Sequence, residues 1–466
     1  MPSPRDSHRH SPGTRVCLIS LGCPKNQVDS ENLLGGIVDA ELVLCPDPAD
    51  ADVAIVNTCG FIQPARDECD QVLKDLLRLK HRRKNPLRRL AVVGCWVERE
   101  KPNLIKRYPE VDLWLGLLTP ERLAALISWI TGGPSTGTFG GPSFQTPAYE
   151  GDRPRIGFQH VAYLRICDGC LNNCAYCTIP SIRGPLRSKP MEDILREAED
   201  FRLQGVSELI LVGQDLGNYG RDRSGGSGLS ELVAALDCRI DVPWIRLMYL
   251  HPAHVDSRLL DALAVSRRIV HYLDLPLQHI SDRILHAMNR GVTRKEIDFL
   301  IDALRAMWPD LVLRTTFIVG FPGETDEDFA ELENFVRTCR FERLGCFPYC
   351  PEEGTPAAAM TPKVPQDIID RRHDRLMKLQ QQITFDHNTR LVGCKMPVII
   401  DGVAESAGEG QESGWEYLGR TYGDAPDIDG TILLSAASGD LVPGEIVTAT
   451  VTAAHGYDLT GRVEPA

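Results

Sequence analysis

Three cysteines near the middle of the chain, Cys170, Cys174 and Cys177, have a spacing suited to inorganic chemistry. They form C-x3-C-x2-C directly after an apolar run. A loop of that length can set three thiolates around one face of an iron–sulfur cubane, leaving one of its four irons open for a substrate. The same thiols could instead hold zinc or be buried by chance. A structural zinc site wants four closed ligands, commonly two C-x2-C pairs, and no matching second pair is evident. Cys167 could supply a fourth thiolate, but it sits in the preceding strand and reads as a core cysteine. A second set stands near the N-terminus. Cys23, Cys59 and Cys95 each follow an apolar run by one or a few residues. In a parallel sheet such positions gather at one edge. Three thiolates from three loops could converge there on a second cluster, or simply be buried separately.

The elements that must position these residues follow from the pattern of apolar runs. Residues 15–21, 52–58 and 90–95 read as buried parallel strands, with helical segments near 27–40, 62–82 and 120–131. They predict a small α/β domain over 15–132. Residues 133–154, rich in Gly, Pro, Ser and Thr, read as a linker. From 155 to 391, six strand–helix repeats predict a partial (βα)6 barrel whose active groups stand at the strands' C-terminal ends. The long polar helix 365–391 closes it. Residues 392–466 turn to short β-type runs, the pattern of a small antiparallel β-barrel.

Bulk numbers narrow the class. At 466 residues, with 43% hydrophobic and 25% charged, the chain reads as a soluble multidomain protein. No apolar run approaches membrane length. Residues 1–14 look like a disordered leader, and a cytoplasmic location with no membrane partner is expected. The net charge of -13 argues against a surface built throughout to hold nucleic acid. An odd count of 15 Cys in a long chain favours metal ligands or core thiols over disulfides.

With Tyr176 as the aromatic of C-x3-C-x-aromatic-C, the central triplet resembles the radical S-adenosylmethionine superfamily. That resemblance implies an open iron that chelates S-adenosylmethionine, and a radical that attacks an unactivated carbon. Such a carbon is beyond an ordinary side-chain base, so the cofactor must carry the step. Tyr176, Gly213, Gln214, Asp215 and Gly320 then become candidates for contact with S-adenosylmethionine. The last four end strands, where turn formation is the plainer reading of 213–215 and 318–324. Residues 20–31 (SLGCPKNQVDSE), 57–61 (NTCGF) and 93–95 (VGC), followed by the triplet, are similar to the methylthiotransferases over nearly the whole chain from about residue 15. This implies two [4Fe-4S] clusters, on Cys170, Cys174, Cys177 and on Cys23, Cys59, Cys95, with the second delivering sulfur. It also implies a C-terminal TRAM domain and an external electron donor. Cys17, Cys45, Cys69, Cys238, Cys339, Cys346, Cys350 and Cys394 match no ligand position and are expected to be structural.

The family acts on adenosine of transfer RNA or on an aspartate of a ribosomal protein. From Lys395 onward, three cations face twelve acids, a balance of -9. A barrel so acidic should repel phosphates and suit a basic protein surface. Residues 20–31, 212–220, 274–279, 349–358 and 422–430 resemble the RimO branch. That likeness implies methylthiolation at the β-carbon of an aspartate in the twelfth small-subunit ribosomal protein. Residues 78–89 run the other way, with seven cations in twelve residues. They read as a solvated helix end or a ribosomal RNA contact. The alternatives are the same reaction on transfer RNA, and a non-catalytic iron–sulfur electron-transfer protein.

Overall fold

The computed structural model describes residues 13–133, 144–145, 150–151, 153–404, 416–436 and 440–465. Most of the expected leader and most of the expected linker lie outside these residues. Contacts divide the chain into two compact units. The first comprises the chain to Ile156 together with Asp168–Leu171 and Thr178–Arg187, and the remainder forms the second. Composition drew one boundary near residue 155. The structure instead assigns both flanks of the central cysteine loop to the N-terminal unit.

In the first unit a five-stranded parallel sheet has the order β2-β1-β3-β4-β5. Its elements are β1 Arg15–Ser20, α1 Pro24–Asp39, β2 Val43–Leu44, β3 Val53–Thr58, α2 Gln63–Lys80, β4 Arg89–Gly94, α3 Cys95–Arg107, β5 Leu113–Trp114 and α4 Pro120–Ile130. Successive strand residues point to opposite faces, so an apolar run buried on both sides feeds two cores. Ala54, Val56, Leu90 and Val92 pack with Leu73, Leu77 and Trp96 of α2 and α3. Val53, Ile55, Ala91 and Val93 pack with Leu33, Ile37 and Leu126 of α1 and α4. The chain reverses direction across the sheet between β1 and β3. Ligand sites of open α/β sheets form in the crevice beyond the strands' carboxyl ends at such a reversal. Short helix α5, Ile179–Arg183, belongs to this unit, and its Ile182 packs with Cys95 and Leu117.

The second unit begins at β6, Val161–Arg165. Two-residue strands β7 Cys167–Asp168 and β8 Arg187–Ser188 flank the cysteine loop in sequence. Beyond them run α6 Met191–Leu203, β9 Glu208–Val212, α7 Leu229–Arg239, β10 Trp244–Leu247, α8 Ser257–Val265, β11 Ile269–Asp274, α9 Asp282–Ala287, α10 Arg294–Met307, β12 Val312–Val319, α11 Asp326–Cys339 and β13 Arg343–Pro348. The six long strands form an open parallel sheet, β13-β12-β11-β10-β9-β6, each beside its predecessor in the chain. This is the expected partial barrel. After α12 Pro356–Ala359, the 25-residue helix α13, Gln366–Arg390, packs along it. The C-terminal strands β14 Lys395–Val403, β15 Tyr417–Thr421, β16 Ile432–Ser435, β17 Ile446–His455 and β18 Asp458–Val463 close a barrel. One pair in it, β16 with β18, is parallel rather than antiparallel. Among the described residues, no helix is long and apolar enough to cross a membrane.

Buried charge joins this small barrel to the large one. Arg420 donates to Asp401 at 2.8 Å and to Glu208 at 2.8 Å. Glu208 also accepts from Arg246 at 2.7 Å, and His160 meets Asp401 at 2.8 Å. Arg343 pairs with Asp424, and Arg314 with Asp274 and Asp429. Part of the C-terminal acidity is therefore spent on internal arginines. Glu416, Asp427, Asp440, Glu445 and Asp458 remain exposed, while Glu405, Glu409 and Glu412 lie outside the described residues. Arg420→Ala would strip the shared guanidinium from two buried carboxylates, leaving Glu208 to Arg246 and Asp401 to His160. Breaking a buried pair in this way costs about 3–5 kcal/mol, so the urea unfolding midpoint should fall clearly.

Candidate metal centres

Cys23, Cys59 and Cys95 all sit at the carboxyl edge of the first sheet. Cys23 caps α1 just after β1, Cys59 follows β3, and Cys95 opens α3 just after β4. In the strand order β1, β3 and β4 are neighbours, so three distant segments deliver their thiols to one crevice. Gly22 makes the closest approach possible. Its φ is +99°, and an added Cβ would stand 2.8 Å from the Cβ of Cys59. Arg99 holds the Cys59 loop by donating to the Gly60 carbonyl at 2.9 Å. The buried Cys69 thiol donates to the Cys59 carbonyl at 3.5 Å, which accounts for Cys69 as a packing residue. The thiols also feel one another's charge. Burial pushes the Cys59 thiol up, with Cys23 adding to the rise. Cys95 is pushed up to about 12 by burial, against the pull of Arg183, with Cys23 and Cys59 adding to the rise. Thiols so placed become thiolates when a cationic centre sits among them.

Arg183 is a group that sequence reasoning missed. It is buried, 2% exposed. It donates to Asp29 at 2.8 Å, Asp168 at 3.2 Å and the Cys95 sulfur at 3.4 Å. Its only local signal was an arginine set between Ile182 and Gly184 in an otherwise apolar turn.

The central triplet is divided between the units. Cys170 belongs to the first, where its amide donates to the Gly184 carbonyl at 3.2 Å. Cys174 and Cys177 belong to the second. Buried Arg290 donates to the Cys174 sulfur at 3.5 Å, to the Tyr176 hydroxyl at 3.4 Å and to the Pro276 carbonyl at 2.6 Å. Backbone bonds Ala175 N to Met288 O and Ala357 N to Ala175 O, both 2.9 Å, fix the loop. Tyr176 packs against the apolar cluster of Ala175, Ile284, Met288, Phe321 and Tyr349. Each triplet thus has one buried guanidinium on one of its sulfurs.

Among the described residues, no three His, Cys, Asp or Glu side chains are close enough to share one metal ion. A zinc site needs its donors about 2.3 Å from a single point. A [4Fe-4S] cluster instead takes one cysteine thiolate on each of several irons, and each triplet offers three such donors.

The strand-end candidates separate by role. At Gly213 an added Cβ would stand 2.5 Å from the Cys167 sulfur. Cys167 is fully buried there, as a core cysteine should be. Gln214 has both amide atoms buried with no hydrogen-bond partner. Leaving such a group unpaired costs about 1–3 kcal/mol, so its setting fits a polar ligand. Asp215, by contrast, is occupied. It accepts from Asn172 at 2.7 Å, Asn218 at 2.9 Å, His254 at 2.7 Å and two backbone amides. Burial pushes its carboxyl up, but the His254 contact and its other partners outweigh that and hold it below the usual range. It scaffolds the loop. Gly320 sits under Ile369, 2.3 Å from where a Cβ would stand, and its amide donates to Glu324 at 2.7 Å.

The chain matches three family models: the Radical SAM superfamily over residues 164–336, the Uncharacterized protein family UPF0004 over 15–116, and the TRAM domain over 392–463. Relatives that carry the name ribosomal protein uS12 methylthiotransferase RimO include three from different organisms. The one from Geotalea uraniireducens is 40% identical over 97% of this chain and 98% of its own length. That from Anaeromyxobacter sp. strain K is 43% identical over 97% and 93%. That from Myxococcus xanthus is 41% identical over 96% and 91%. Among solved structures, the radical S-adenosylmethionine methyltransferase TsrM from Kitasatospora setae shares the fold. Its TM-score is 0.53 at 14% identity, over 74% of this chain and 77% of that one.

Proposed function

Because the chain belongs to the ribosomal protein uS12 methylthiotransferases, we propose that it transfers a methylthio group to the β-carbon of an aspartate in that ribosomal protein. The observation that carries this reading is the presence, in one chain of that family, of two cysteine triplets, each with a buried arginine on one sulfur. Cys170, Cys174 and Cys177 would hold one [4Fe-4S] cluster and Cys23, Cys59 and Cys95 the other. When bound, these clusters and S-adenosylmethionine supply the one-electron chemistry, the sulfur and the methyl group.

The chain's own residues bind and orient. Gln214 offers a buried donor and acceptor to the polar end of S-adenosylmethionine, while Asp215 fixes Asn172 and His254 beside it. Tyr176 and Gly320 shape the loop and strand end. Arg290 holds the Cys174 sulfur in place through its N–H contact. The protein works in the cytoplasm with an external electron donor. The test offers purified, reconstituted protein both bulk transfer RNA and the ribosomal protein. Methylthiolation of the protein alone is expected, and methylthiolation of RNA alone would reverse the substrate assignment.

Docking combines two surfaces of opposite sign. The exposed acids of the C-terminal barrel suit the basic ribosomal protein. His81, Arg82, Arg83, Lys84 and Arg88 are all exposed on one loop of the first unit and suit ribosomal RNA beside the substrate. Replacing Arg82, Arg83 and Lys84 with glutamate should weaken binding to ribosomal RNA. The salt slope should flatten by about 2 to 3, since each phosphate contact contributes about 0.7–0.9. Cleavage of S-adenosylmethionine should not change.

A further inference from the structure

The guanidinium of Arg183 is fixed from three sides inside the first unit. Asp29 comes from α1, Asp168 lies two residues before Cys170, and Cys95 opens α3. A second arginine, Arg187, reaches Asp168 at 3.5 Å. The two carboxylates orient the planar fork, and a remaining N–H falls on the sulfur. Asp29 and Cys95 lie 154 and 88 positions away in sequence. A buried guanidinium is usually met by oxygen acceptors, yet here one of its N–H groups is given to a thiol. We infer that Arg183 is a positioning residue of the second cluster, holding the Cys95 thiolate by an N–H···S bond and raising that cluster's reduction potential.

This rests on the assignment of Cys23, Cys59 and Cys95 as ligands. The physical basis is general. Reduction adds negative charge to a cluster, and a fixed cation or a hydrogen bond to a ligand sulfur favours the reduced form. The anions beside Arg183 also prevent it from turning away when the cluster changes charge. The contact ties the second site to the flanks of the radical loop, because Asp168 and Arg183 stand on either side of the central triplet in sequence. A change at Arg183 should therefore be read at the second cluster.

The experiment uses the full chain with Cys170, Cys174 and Cys177 replaced by alanine, so that only the second cluster can load. Iron is counted, and the potential is titrated by electron paramagnetic resonance. Arg183→Gln is then added, and separately Arg183→Lys, which keeps the charge but loses the planar fork. At the parent's midpoint, Arg183→Gln should lower the ratio of reduced to oxidised cluster about tenfold, equivalent to about 59 mV for one electron. Arg183→Lys should fall between the two. If the parent holds no iron, the ligand assignment fails and takes this inference with it. If it loads normally and neither variant moves the potential, the ligands stand and the role given to Arg183 is overturned. Should Arg183→Gln fail to fold by circular dichroism, the Arg183→Lys shift decides the matter.

Discussion

Replacing Cys23, Cys59 and Cys95 together with alanine is expected to abolish methylthio transfer while leaving reductive cleavage of S-adenosylmethionine intact. The three residues occupy adjacent strand ends of a sheet with its own two hydrophobic cores. Cys59 only borders one core and Cys95 packs in a small separate cluster, so the unit should still fold. Iron should fall from about eight to about four per chain, one cubane fewer. 5′-Deoxyadenosine should still form at close to the parental rate, and methylthiolated product should drop to background. Iron analysis and liquid chromatography on the same samples check both halves. Loss of 5′-deoxyadenosine along with the product would mean that the triplets do not divide the work as proposed.

The second large effect lies at the other triplet. Cys174→Ala should abolish 5′-deoxyadenosine formation, and product with it, while the second cluster's iron stays in place. Cys174 is 8% exposed, and its sulfur takes the Arg290 contact. Arg290→Gln is a graded companion. It leaves the three thiols but removes the cation beside one of them, and losses of outer partners typically cost about 10–100-fold. Single-turnover cleavage of S-adenosylmethionine should therefore rank parent, Arg290→Gln and Cys174→Ala in that order. Equal loss in the two variants would show that Arg290 is needed for the loop to fold rather than to hold the sulfur.

The candidate ligands stood out in the sequence because each cysteine stands where a local pattern ends. Apolar runs of strand length finish just before Cys23, Cys59 and Cys95, and a parallel sheet must bring such ends to one edge. The partial barrel and the small closed barrel were legible for the same reason, from runs and turns only a few residues long. What escaped was long-range. Nothing within a local window announces that Arg183 will meet Asp29 and Cys95, or that Asp215 will spend its carboxylate on Asn172, Asn218 and His254. The acidic C-terminal segment was read as surface charge. Asp401, Asp424 and Asp429 instead face arginines of the neighbouring barrel or their own, pairings that a charge count cannot foresee. Asp168–Leu171 and Thr178–Arg187 look like parts of the radical domain in sequence but fold with the N-terminal sheet.

The most direct test of the account is mass spectrometry of the uS12 ribosomal protein after anaerobic incubation with the reconstituted chain, a reductant and S-adenosylmethionine. The account predicts a gain of one methylthio group, located by fragmentation on an aspartate side chain. It also predicts that this gain is absent with the Cys23, Cys59, Cys95 alanine variant. Formation of 5′-deoxyadenosine with an unmodified ribosomal protein, under conditions where both clusters are loaded, would contradict it.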